Sequence, residues 1–477
     1  MRNNHKIGKT FGMRAAAVLV AVYLAASGGG IPARGASLPS VEVTASAALL
    51  VDLGTGDVLK GINADAKVYP AGLTKIMTAL LALENAASSG VSLDNKVAVT
   101  ETAVAGLQKQ TGVPDLQPGE SMSMRDLLSC MLVASDNKAS NVIAAYVAGS
   151  VPDFVALMNR RAKELGCRNT NFVNAHGLHD FDHYTTANDI YLITIAALSH
   201  PEFMSICDTR NSISVEAIGP DGLTPVTHML SIKNDLIATR SSSNQYRYTL
   251  ARGIITGNTS EGGHSIVSVA EKAGRQLLCA VLGAGERDGT IQSYVEIKNL
   301  FEWGFANFTT KTLLEVTEHL RKVKVFEGKD KDEVTLVPER KLEALVPQSL
   351  DIAEDVTKTT ELYDLSVYAP VERGTPLGEV RVSYKVTDES TGRVVEREFD
   401  TIPLVASIKV ERDETEHLIS QIKAFITQDW FIYSLAGIAV AVLIYVTCVV
   451  VYNRRRHRRQ SGRVQNYKGK KRRRRRG

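Results

Sequence analysis

The sequence predicts an α+β fold followed by a small all-β domain and a single C-terminal transmembrane helix. Three observations support this fold class. Segments with helical and with strand periodicity are mixed before residue 308, whereas the segments that follow, up to residue 412, alternate as strands do. Residues 431–452 contain no charge, and 22 helical residues match the thickness of a hydrocarbon core. A chain of 477 residues is long enough for two or three domains.

Residues 1–36 are predicted to be a signal peptide. Four basic residues between Arg2 and Arg14 precede an uncharged run at 15–26, and small residues follow this run. The charged, apolar, small-residue order is typical of a secretory signal. The apolar run is too short to span a bilayer. We therefore expect the protein to be exported, with cleavage at an undetermined point between residues 27 and 37.

Residues 37–308 are predicted to form the α+β domain. The stretch ASAALLVDLGTGDVLKGINAD contains two β-rich runs around a Gly-Thr-Gly-Asp turn, which predicts a hairpin. Apolar residues recur at helical spacing in three later segments, and the middle segment is interrupted near Ser135. These segments are 72–87, 127–147 and 154–165. The apolar run LLCAVLGA at 277–284 is typical of a central strand.

Residues 309–412 are predicted to form the small all-β domain. Its strand-like segments alternate between apolar and polar residues, and charged or Gly/Pro turns separate them. The segments read KVKVFEG, EVTLVP, LYDLSVY and EVRVSYKV. The next residues, 413–429, are amphipathic and predict a membrane-proximal helix.

The predicted transmembrane helix, residues 430–452, has aromatic residues at one end and three arginines at the other. The positive-inside rule places the tail, residues 453–477, in the cytoplasm and the preceding domains outside it. The protein is therefore expected to be a single-pass protein of the cell membrane.

The basic residues are concentrated in this tail. It holds 14 of the 56 Lys and Arg residues and no Asp or Glu, which leaves 42 basic residues against 52 acidic ones elsewhere. Because the basic tail follows a membrane helix, anionic lipid head groups are its expected partner, and nucleic acid is not.

Five segments of the extracytoplasmic part occur in a distinctive order. They read PAGLTK, LQPGESMSMRDLLSCMLVASDN, NFVNAHGLHDFDHYTTANDIYLI, GIITGNTSEGG and YAPVERGTPLGEVRV. Their order and spacing resemble the low-molecular-mass penicillin-binding proteins, serine-type D-alanyl-D-alanine carboxypeptidases that trim peptidoglycan stem peptides. The resemblance covers residues 45–412. It implies a penicillin-binding, β-lactamase-like transpeptidase domain in which helices flank an antiparallel sheet.

The resemblance implies catalytic roles for three residues. In the family's Ser-x-x-Lys motif, the lysine, here Lys75, takes the proton of the serine hydroxyl while that serine attacks the terminal D-Ala-D-Ala bond. Ser135 and Asn137 match the residues that relay protons and position the substrate.

A strand motif at residues 255–258 is implied to bind the substrate. In the family, a Lys-Thr-Gly segment pairs its backbone with the substrate, and its lysine and threonine recognise the terminal carboxylate. Ile255, Thr256 and Gly257 occupy these positions here. The backbone N–H groups of residue 72 and of Asn258 would form the oxyanion hole.

Two positions depart from the family pattern. Gly72 replaces the nucleophilic serine, so no acyl-enzyme can form there, and Ile255 removes a charge-assisted contact of about 1.5–3 kcal/mol. Thr74 would point about 160° away from position 72 around a helix. Ser135 and Lys138 form a Ser-x-x-Lys sequence within the second motif. Neither is expected to replace the nucleophile, whereas serine at 72 with lysine at 255 is expected to restore acylation.

One cluster has residue types that bind metals. Its members are His176, His179, Asp180, Asp182 and His183. The cluster falls in a loop that shapes the domain in the resembled family, so we expect no metal, and no other cofactor.

Other residues have structural interpretations. Without a nucleophile, Lys75 is expected to be a buried residue that pairs with Asn137 or Ser135. The cysteines include no CxxC pair, and their spacing is compatible with a Cys167–Cys207 bridge or with buried free thiols.

The sequence therefore indicates a membrane-anchored D-alanyl-D-alanine carboxypeptidase homologue that is catalytically inactive and serves as a cell-wall binding or regulatory protein. Its expected ligand is a stem peptide ending in D-Ala-D-Ala. One alternative is a hydrolase with residual activity, because Gly72 leaves room for a water near Lys75 and the oxyanion donors are retained. A purely structural envelope protein is the third interpretation.

Overall fold

The computed structural model describes residues 38–110, 112–239, 244–387 and 394–473. The chain divides into two compact units. The first comprises the described residues up to Lys311 together with Ala344–Asp355 and the described part of Lys385–Val395. The second comprises Thr312–Glu343, Val356–Tyr384 and the described residues from Glu396 onward. The predicted signal peptide lies outside the described residues.

The elements that precede residue 308 alternate between strands and helices. The strands are β1 (Ala47–Asp52), β2 (Val58–Ile62), β3 (Lys96–Ala98), β4 (Ser121–Ser123), β5 (Ile213–Ile218), β6 (Pro225–Leu230), β7 (Ala251–Thr259), β8 (Gly263–Lys272), β9 (Arg275–Ala284), β10 (Glu286–Arg287) and β11 (Thr290–Ile291). The helices are α1 (Lys75–Ser89), α2 (Glu101–Val104), α3 (Met124–Val133), α4 (Asn137–Ala148), α5 (Val151–Glu164), α6 (Ala187–Leu198), α7 (Pro201–Cys207) and α8 (Gln292–Asn307).

The later elements are mostly strands. They are β12 (Phe308–Leu314), β13 (Arg321–Phe326), β14 (Glu333–Pro338), β15 (Leu342–Pro347), β16 (Val356–Leu362), β17 (Val367–Tyr368), β18 (Pro376–Thr387) and β19 (Val394–Ala406). The helices are α9 (Ile352–Asp355), α10 (Glu414–Ile426) and α11 (Asp429–Arg473).

An antiparallel sheet in the order β2-β1-β9-β8-β7 forms the centre of the first unit. The predicted hairpin is confirmed as β1 and β2, and the predicted central strand as β9. Residues 277–282 of β9 have no exposed surface, because α6 and α8 pack against this strand. A continuous apolar run is the pattern expected of a strand covered in this way. The predicted α+β class, with helices flanking an antiparallel sheet, is thereby confirmed.

The first predicted helix begins later than expected. Residues Ala71–Thr74 form a 3-10 turn, and α1 starts only at Lys75. Ala71 has a φ of 47°, a left-handed conformation that a right-handed helix excludes. Position 72 therefore lies on a tight turn that leads into the helix.

The predicted break near Ser135 is confirmed between α3 and α4. Ser135 has a φ of 60°, which ends the first helix. Asp136 caps the second helix, because its carboxylate accepts hydrogen bonds from the backbone N–H groups of Lys138 and Ala139. This turn chemistry fixes the direction in which Ser135 and Asn137 leave the backbone.

The second unit contains the predicted all-β domain. Six strands form a sheet in the order β16-β18-β19-β14-β13-β17. Apolar residues such as Val334 and Leu336 of β14 are fully buried, whereas Glu333 at the start of the strand is exposed. This alternation places one face of the strand against a core, as the sequence pattern indicates.

Helix α10 is attached to the second unit by polar contacts around Glu327. The Glu327 carboxylate accepts a hydrogen bond from the Ser420 hydroxyl and contacts the imidazole Nδ1 of His417. The Asp413 backbone N–H also donates to the Glu327 carbonyl at 2.8 Å. We call these four residues the Glu327 cluster. The helix itself has no buried residue, so this cluster is its principal described attachment.

Helix α11 contains the predicted transmembrane segment. Its part from Asp429 to Arg458 is long enough and apolar enough to cross a membrane. The apolar side chains of this segment are exposed, as expected of a helix whose partner is lipid.

The five cysteines are all free, so the Cys167–Cys207 bridge that the spacing allowed is absent. Cys207 is buried, and the Cys167 thiol lies 3.7 Å from the Asp189 carbonyl oxygen.

Candidate active-site cleft

A cleft of about 480 Å³ in the first unit contains most of the predicted site residues. Its described walls include seven of them: Gly72, Lys75, Ser135, Asn137, Thr256, Gly257 and Asn258. Ile255 does not contribute to the cleft. It is 2% exposed and packs in the core, because successive residues of a strand point to opposite faces.

Lys75 lies at the floor of the cleft and is almost completely buried. Its Nζ donates hydrogen bonds to the Asn137 Oδ1 at 2.8 Å and to the His176 carbonyl oxygen at 2.6 Å. Burial lowers the pKa of Lys75 to about 7, although the charge of Asp136 opposes this shift. Near neutral pH, a large fraction of this lysine is a neutral amine with both N–H groups engaged and one lone pair available as a base.

Asp136 lies between Ser135 and Asn137 and caps α4. Burial raises its pKa to about 6, against the effect of the two backbone hydrogen bonds that it accepts. The side chain is an N-cap of α4, and it lies close enough to Lys75 for the two charges to interact. The cap therefore positions Asn137, the hydrogen-bond partner of Lys75.

The backbone of β7 occupies the space beside Gly72. A Cβ atom added at Gly72 would lie 2.7 Å from the Thr256 carbonyl oxygen and 3.1 Å from the Gly257 Cα. A Cβ atom added at Gly257 would lie 2.4 Å from the Gly72 nitrogen. Ordinary van der Waals contacts begin near 3.4 Å. The 3-10 turn and the strand thus approach each other as closely as two glycines permit.

This contact limits what can stand in front of Lys75. The Thr256 carbonyl oxygen lies 2.7 Å from the point where a Cβ at position 72 would stand, so this backbone crowds the site that a side chain would need. A serine at 72 does not fit this backbone arrangement, unless the strand retreats by roughly 0.5 Å or more.

The loop of residues 172–183 closes one side of the cleft. His176 and Gly177 line the cleft, and a Cβ atom added at Gly177 would lie 1.8 Å from the Ala71 carbonyl oxygen. Only glycine allows the loop to approach the 3-10 turn so closely. The loop therefore holds the turn that carries Gly72.

Two histidines of this loop are neutral structural groups. The His183 Nδ1 accepts a hydrogen bond from the Val173 backbone N–H at 3.0 Å, so its Nε2 carries the proton and donates to the Thr74 hydroxyl at 2.7 Å. Burial lowers the pKa of His183 to about 4, and burial lowers that of His176 to about 3. The His176 Nδ1 likewise accepts from the Leu178 backbone N–H at 3.1 Å.

The histidine and aspartate cluster does not converge on a point. The His179 ring lies between Tyr69 and Phe181, with ring centroids at 4.6 and 5.1 Å. Within the described ranges, no group of three or more His, Cys, Asp or Glu residues is arranged to hold a metal ion.

The Thr74 hydroxyl and the Lys138 ammonium, which belong to the two candidate substitutes, have other partners. The Thr74 hydroxyl is hydrogen bonded to His183, on the side of the turn that faces the loop. The Lys138 Nζ donates to the Asp115 carboxylate at 2.7 Å and to the Leu116 carbonyl oxygen at 3.2 Å. Lys138 therefore holds a neighbouring loop and is not directed at Ser135.

Other cleft residues were not identified from the sequence. They include Gln110, Val113, Lys233, Asp235, His264, Ser293 and Tyr294. They come from separate loops, from the start of β8 and from the start of α8, and no motif joins them. The Ser-Ile-Lys-Asn-Asp stretch around Lys233, polar residues between two apolar runs, was the available signal.

Comparison with known proteins identifies two families along the chain. Residues 33–286 match the D-alanyl-D-alanine carboxypeptidase family, and residues 308–412 match the family described as penicillin-binding protein 5, C-terminal domain.

Curated relatives cover most of the chain. It is 29% identical over 334 residues to D-alanyl-D-alanine carboxypeptidase DacF of Bacillus subtilis (strain 168), a match that covers 70% of this chain and 80% of the relative. It is 30% identical over 346 residues to D-alanyl-D-alanine carboxypeptidase DacC of Escherichia coli (strain K12), covering 72% and 80%.

Solved structures show the same fold. Penicillin binding protein 5 of Haemophilus influenzae superposes with a TM-score of 0.55 at 26% identity, over 79% of this chain and 100% of that one. The D-alanyl-D-alanine carboxypeptidase DacD of Francisella tularensis gives a TM-score of 0.60 at 21% identity, over 81% and 97%.

Proposed function

Because this chain belongs to the D-alanyl-D-alanine carboxypeptidase family, we propose that it binds peptidoglycan stem peptides ending in D-Ala-D-Ala without hydrolysing them. It would do so as a binding or regulatory protein anchored in the cell membrane by α11. The observation that carries this proposal is the backbone contact between Gly72 and the Thr256–Gly257 segment.

The argument against hydrolysis has two steps. A glycine has no side-chain atom that can form the covalent bond to the peptide carbonyl. In addition, a Cβ at position 72 would lie 2.7 Å from the Thr256 carbonyl oxygen, so the backbone beside Lys75 leaves little space for a side chain that carries a hydroxyl. The base of the family mechanism is retained, but its proton donor is not.

The argument for binding comes from what the cleft retains. Its described walls are rich in hydrogen-bond donors and acceptors from Ser135, Asn137, Thr256 and Asn258. A cavity of about 480 Å³ is large enough for a short peptide end. These groups bind substrate in the resembled family, and binding does not require a nucleophile.

A second candidate function is slow hydrolysis by water. Lys75 has a pKa of about 7 and lies at the cleft floor, so it could accept a proton from a water bound farther out than position 72. In this case the retained oxyanion donors would give a small residual rate.

The test measures binding and turnover on the same sample. The detergent-solubilised protein is titrated calorimetrically with an N-acetylated tripeptide ending in D-Ala-D-Ala, and free D-alanine is then assayed. We expect saturable binding, no D-alanine above the peptide-only control, and no fluorescent penicillin retained after denaturation. Release of D-alanine would support the hydrolase instead, and a stoichiometric penicillin adduct would refute the inactive assignment. Absence of binding would refute the binding function.

A further inference from the structure

The cleft contains a lysine that no motif of the sequence predicts. Lys233 lines the same cavity as Thr256 and Asn258. Position 255, which carries the carboxylate-binding lysine in the resembled family, is a buried isoleucine here. Among the described residues of the cleft walls, Lys75 and Lys233 are those with an amino group, and Lys75 is only about half protonated near pH 7 because burial lowers its pKa to about 7.

The segment that carries Lys233 is fixed on three sides. The Lys233 backbone N–H donates to the Val133 carbonyl at 3.1 Å, at the end of α3. The Asn234 side chain donates to the Gly253 carbonyl at 3.1 Å, two residues before Ile255. The segment is therefore attached both to the helix that precedes Ser135 and to the strand that carries Thr256.

Tyr294 provides the third attachment. Its hydroxyl donates to the Lys233 carbonyl at 3.3 Å and accepts from the Asp235 backbone N–H at 3.2 Å. The tyrosine also lines the cleft. A lysine on a segment held in this way keeps its backbone position when a ligand enters, which reduces the entropy cost of binding.

The Lys233 ammonium lies beside Gly112, between two residues that line the cleft. A Cβ atom added at Gly112 would lie 3.2 Å from the Lys233 Nζ, and the neighbouring residues Gln110 and Val113 line the cleft. The charge is therefore located at the cleft wall and not on the outer surface.

We propose that Lys233 binds the terminal carboxylate of the ligand, in place of the lysine that position 255 lacks. This inference rests on the proposed binding function. Ammonium to carboxylate contacts are stronger than neutral hydrogen bonds, so one such contact distinguishes a free peptide end from a blocked one. Asp235 also lines the cavity, and a carboxylate there would repel that of the ligand, so we expect the ligand carboxylate to lie nearer Lys233 than Asp235.

The test compares a free carboxylate with its amide. The full-length, detergent-solubilised protein is titrated with an N-acetylated tripeptide ending in D-Ala-D-Ala and with the C-terminal amide of the same peptide. We expect the acid to bind at least tenfold more tightly than the amide. Lys233→Gln should abolish this preference, and Lys233→Arg should retain most of it. Lys163→Gln, which removes the same charge from an exposed position of α5, should leave the preference unchanged.

Each failure has a separate meaning. If the wild type binds neither peptide, the proposed function is wrong. If it binds acid and amide equally, or if Lys233→Gln retains the preference, the binding function stands and the role of Lys233 is refuted. Unfolding curves of the variants establish that any loss is not a loss of fold, and Lys233→Arg provides the same check within the binding experiment.

Discussion

At the scale of single residues, the backbone of Thr256 and Gly257 lies where a side chain at position 72 would need space. From the sequence, serine at 72 with lysine at 255 was expected to restore acylation. The contacts of Gly72 with Thr256 and Gly257 oppose this, because the added Cβ would overlap the strand backbone. Ile255 is also a core residue, so a lysine there would bury a charge.

We predict that Gly72→Ser destabilises the protein by about 1–3 kcal/mol, the usual cost of overpacking. The double variant Gly72→Ser with Ile255→Lys should also form no stable penicillin adduct. Urea unfolding and fluorescent penicillin labelling measure these effects. Gly72→Ala is the matched control, since it adds the Cβ without the hydroxyl and should cost about as much as serine. Normal stability and penicillin labelling of the double variant would contradict the prediction, because they would mean that β7 moves away from position 72 at little cost.

A second residue-scale prediction concerns His183 and acid. Its pKa is about 4 in the folded protein, because burial disfavours the charged form, and about 6.5 in an unfolded chain. Between these values the unfolded chain binds a proton that the folded protein does not. The contribution of His183 to stability is therefore complete above pH 6.5 and is lost as the pH falls toward 4, by up to about 3 kcal/mol.

The measurement is the free energy of unfolding between pH 7 and pH 4. His183→Gln should reduce the loss of stability over this interval, although it is less stable at pH 7 because the hydrogen bond to Thr74 is changed. His319→Gln, which replaces an exposed histidine, should leave the pH dependence as in the wild type. An identical pH dependence in His183→Gln would exclude the assigned role.

At the scale of secondary structure elements, α10 depends on the Glu327 cluster. Hydrogen bonds from Ser420 and His417 hold the pKa of the Glu327 carboxyl below its usual range, so this group stays ionised and accepts both bonds at neutral pH. The apolar side chains of α10 are exposed and provide no buried contact with the described part of the unit.

We predict that Glu327→Leu releases α10 from the all-β domain without unfolding that domain. Hydrogen exchange at the amides of residues 414–426 in detergent should accelerate at least tenfold, and exchange in β13 and β14 should change little. Glu333→Leu serves as a control, because Glu333 is an exposed carboxylate of the same sheet. Unchanged exchange in α10 would show that another contact holds the helix.

The sequence predicted those elements whose local pattern determines them. The hairpin β1–β2, the central strand β9 and the break between α3 and α4 follow from turn residues and from apolar periodicity, which involve near neighbours. The start of α1 was misplaced, because the left-handed Ala71 depends on the loop that packs over it. A resemblance could indicate the motif residues, whereas the Gly72–Gly257 contact joins positions 185 residues apart and appears only after folding. Lys233 was missed for the same reason.

At the scale of the whole molecule, the orientation in the membrane is a prediction. The apolar part of α11 follows Asp429 and precedes Arg454, Arg455 and Arg456. Moving each arginine through the bilayer centre costs about 3 kcal/mol. We therefore expect the tail inside the cytoplasm and the mature chain up to Gln428 outside, with the basic run near the C-terminus attracted to anionic lipid more strongly at low salt.

Protease added to cells without their walls should release the extracytoplasmic part and leave a small tail fragment protected. A tag after Gly477 should survive this treatment, and the same tag should be digested once the cells are permeabilised. Digestion of the tag in intact cells would reverse the orientation and would separate the cleft from the peptidoglycan.

The backbone contact at Gly72 also affects whether a substitution at this position can be reversed during evolution. While a nucleophile occupies a site, any shift of the strand into its space is opposed, and once the side chain is gone the strand is free to settle there. After that step, the original serine no longer fits, so a single reverting mutation lowers stability before it can restore activity. Under the proposed binding function, a loss of catalysis is therefore difficult to reverse by a single substitution.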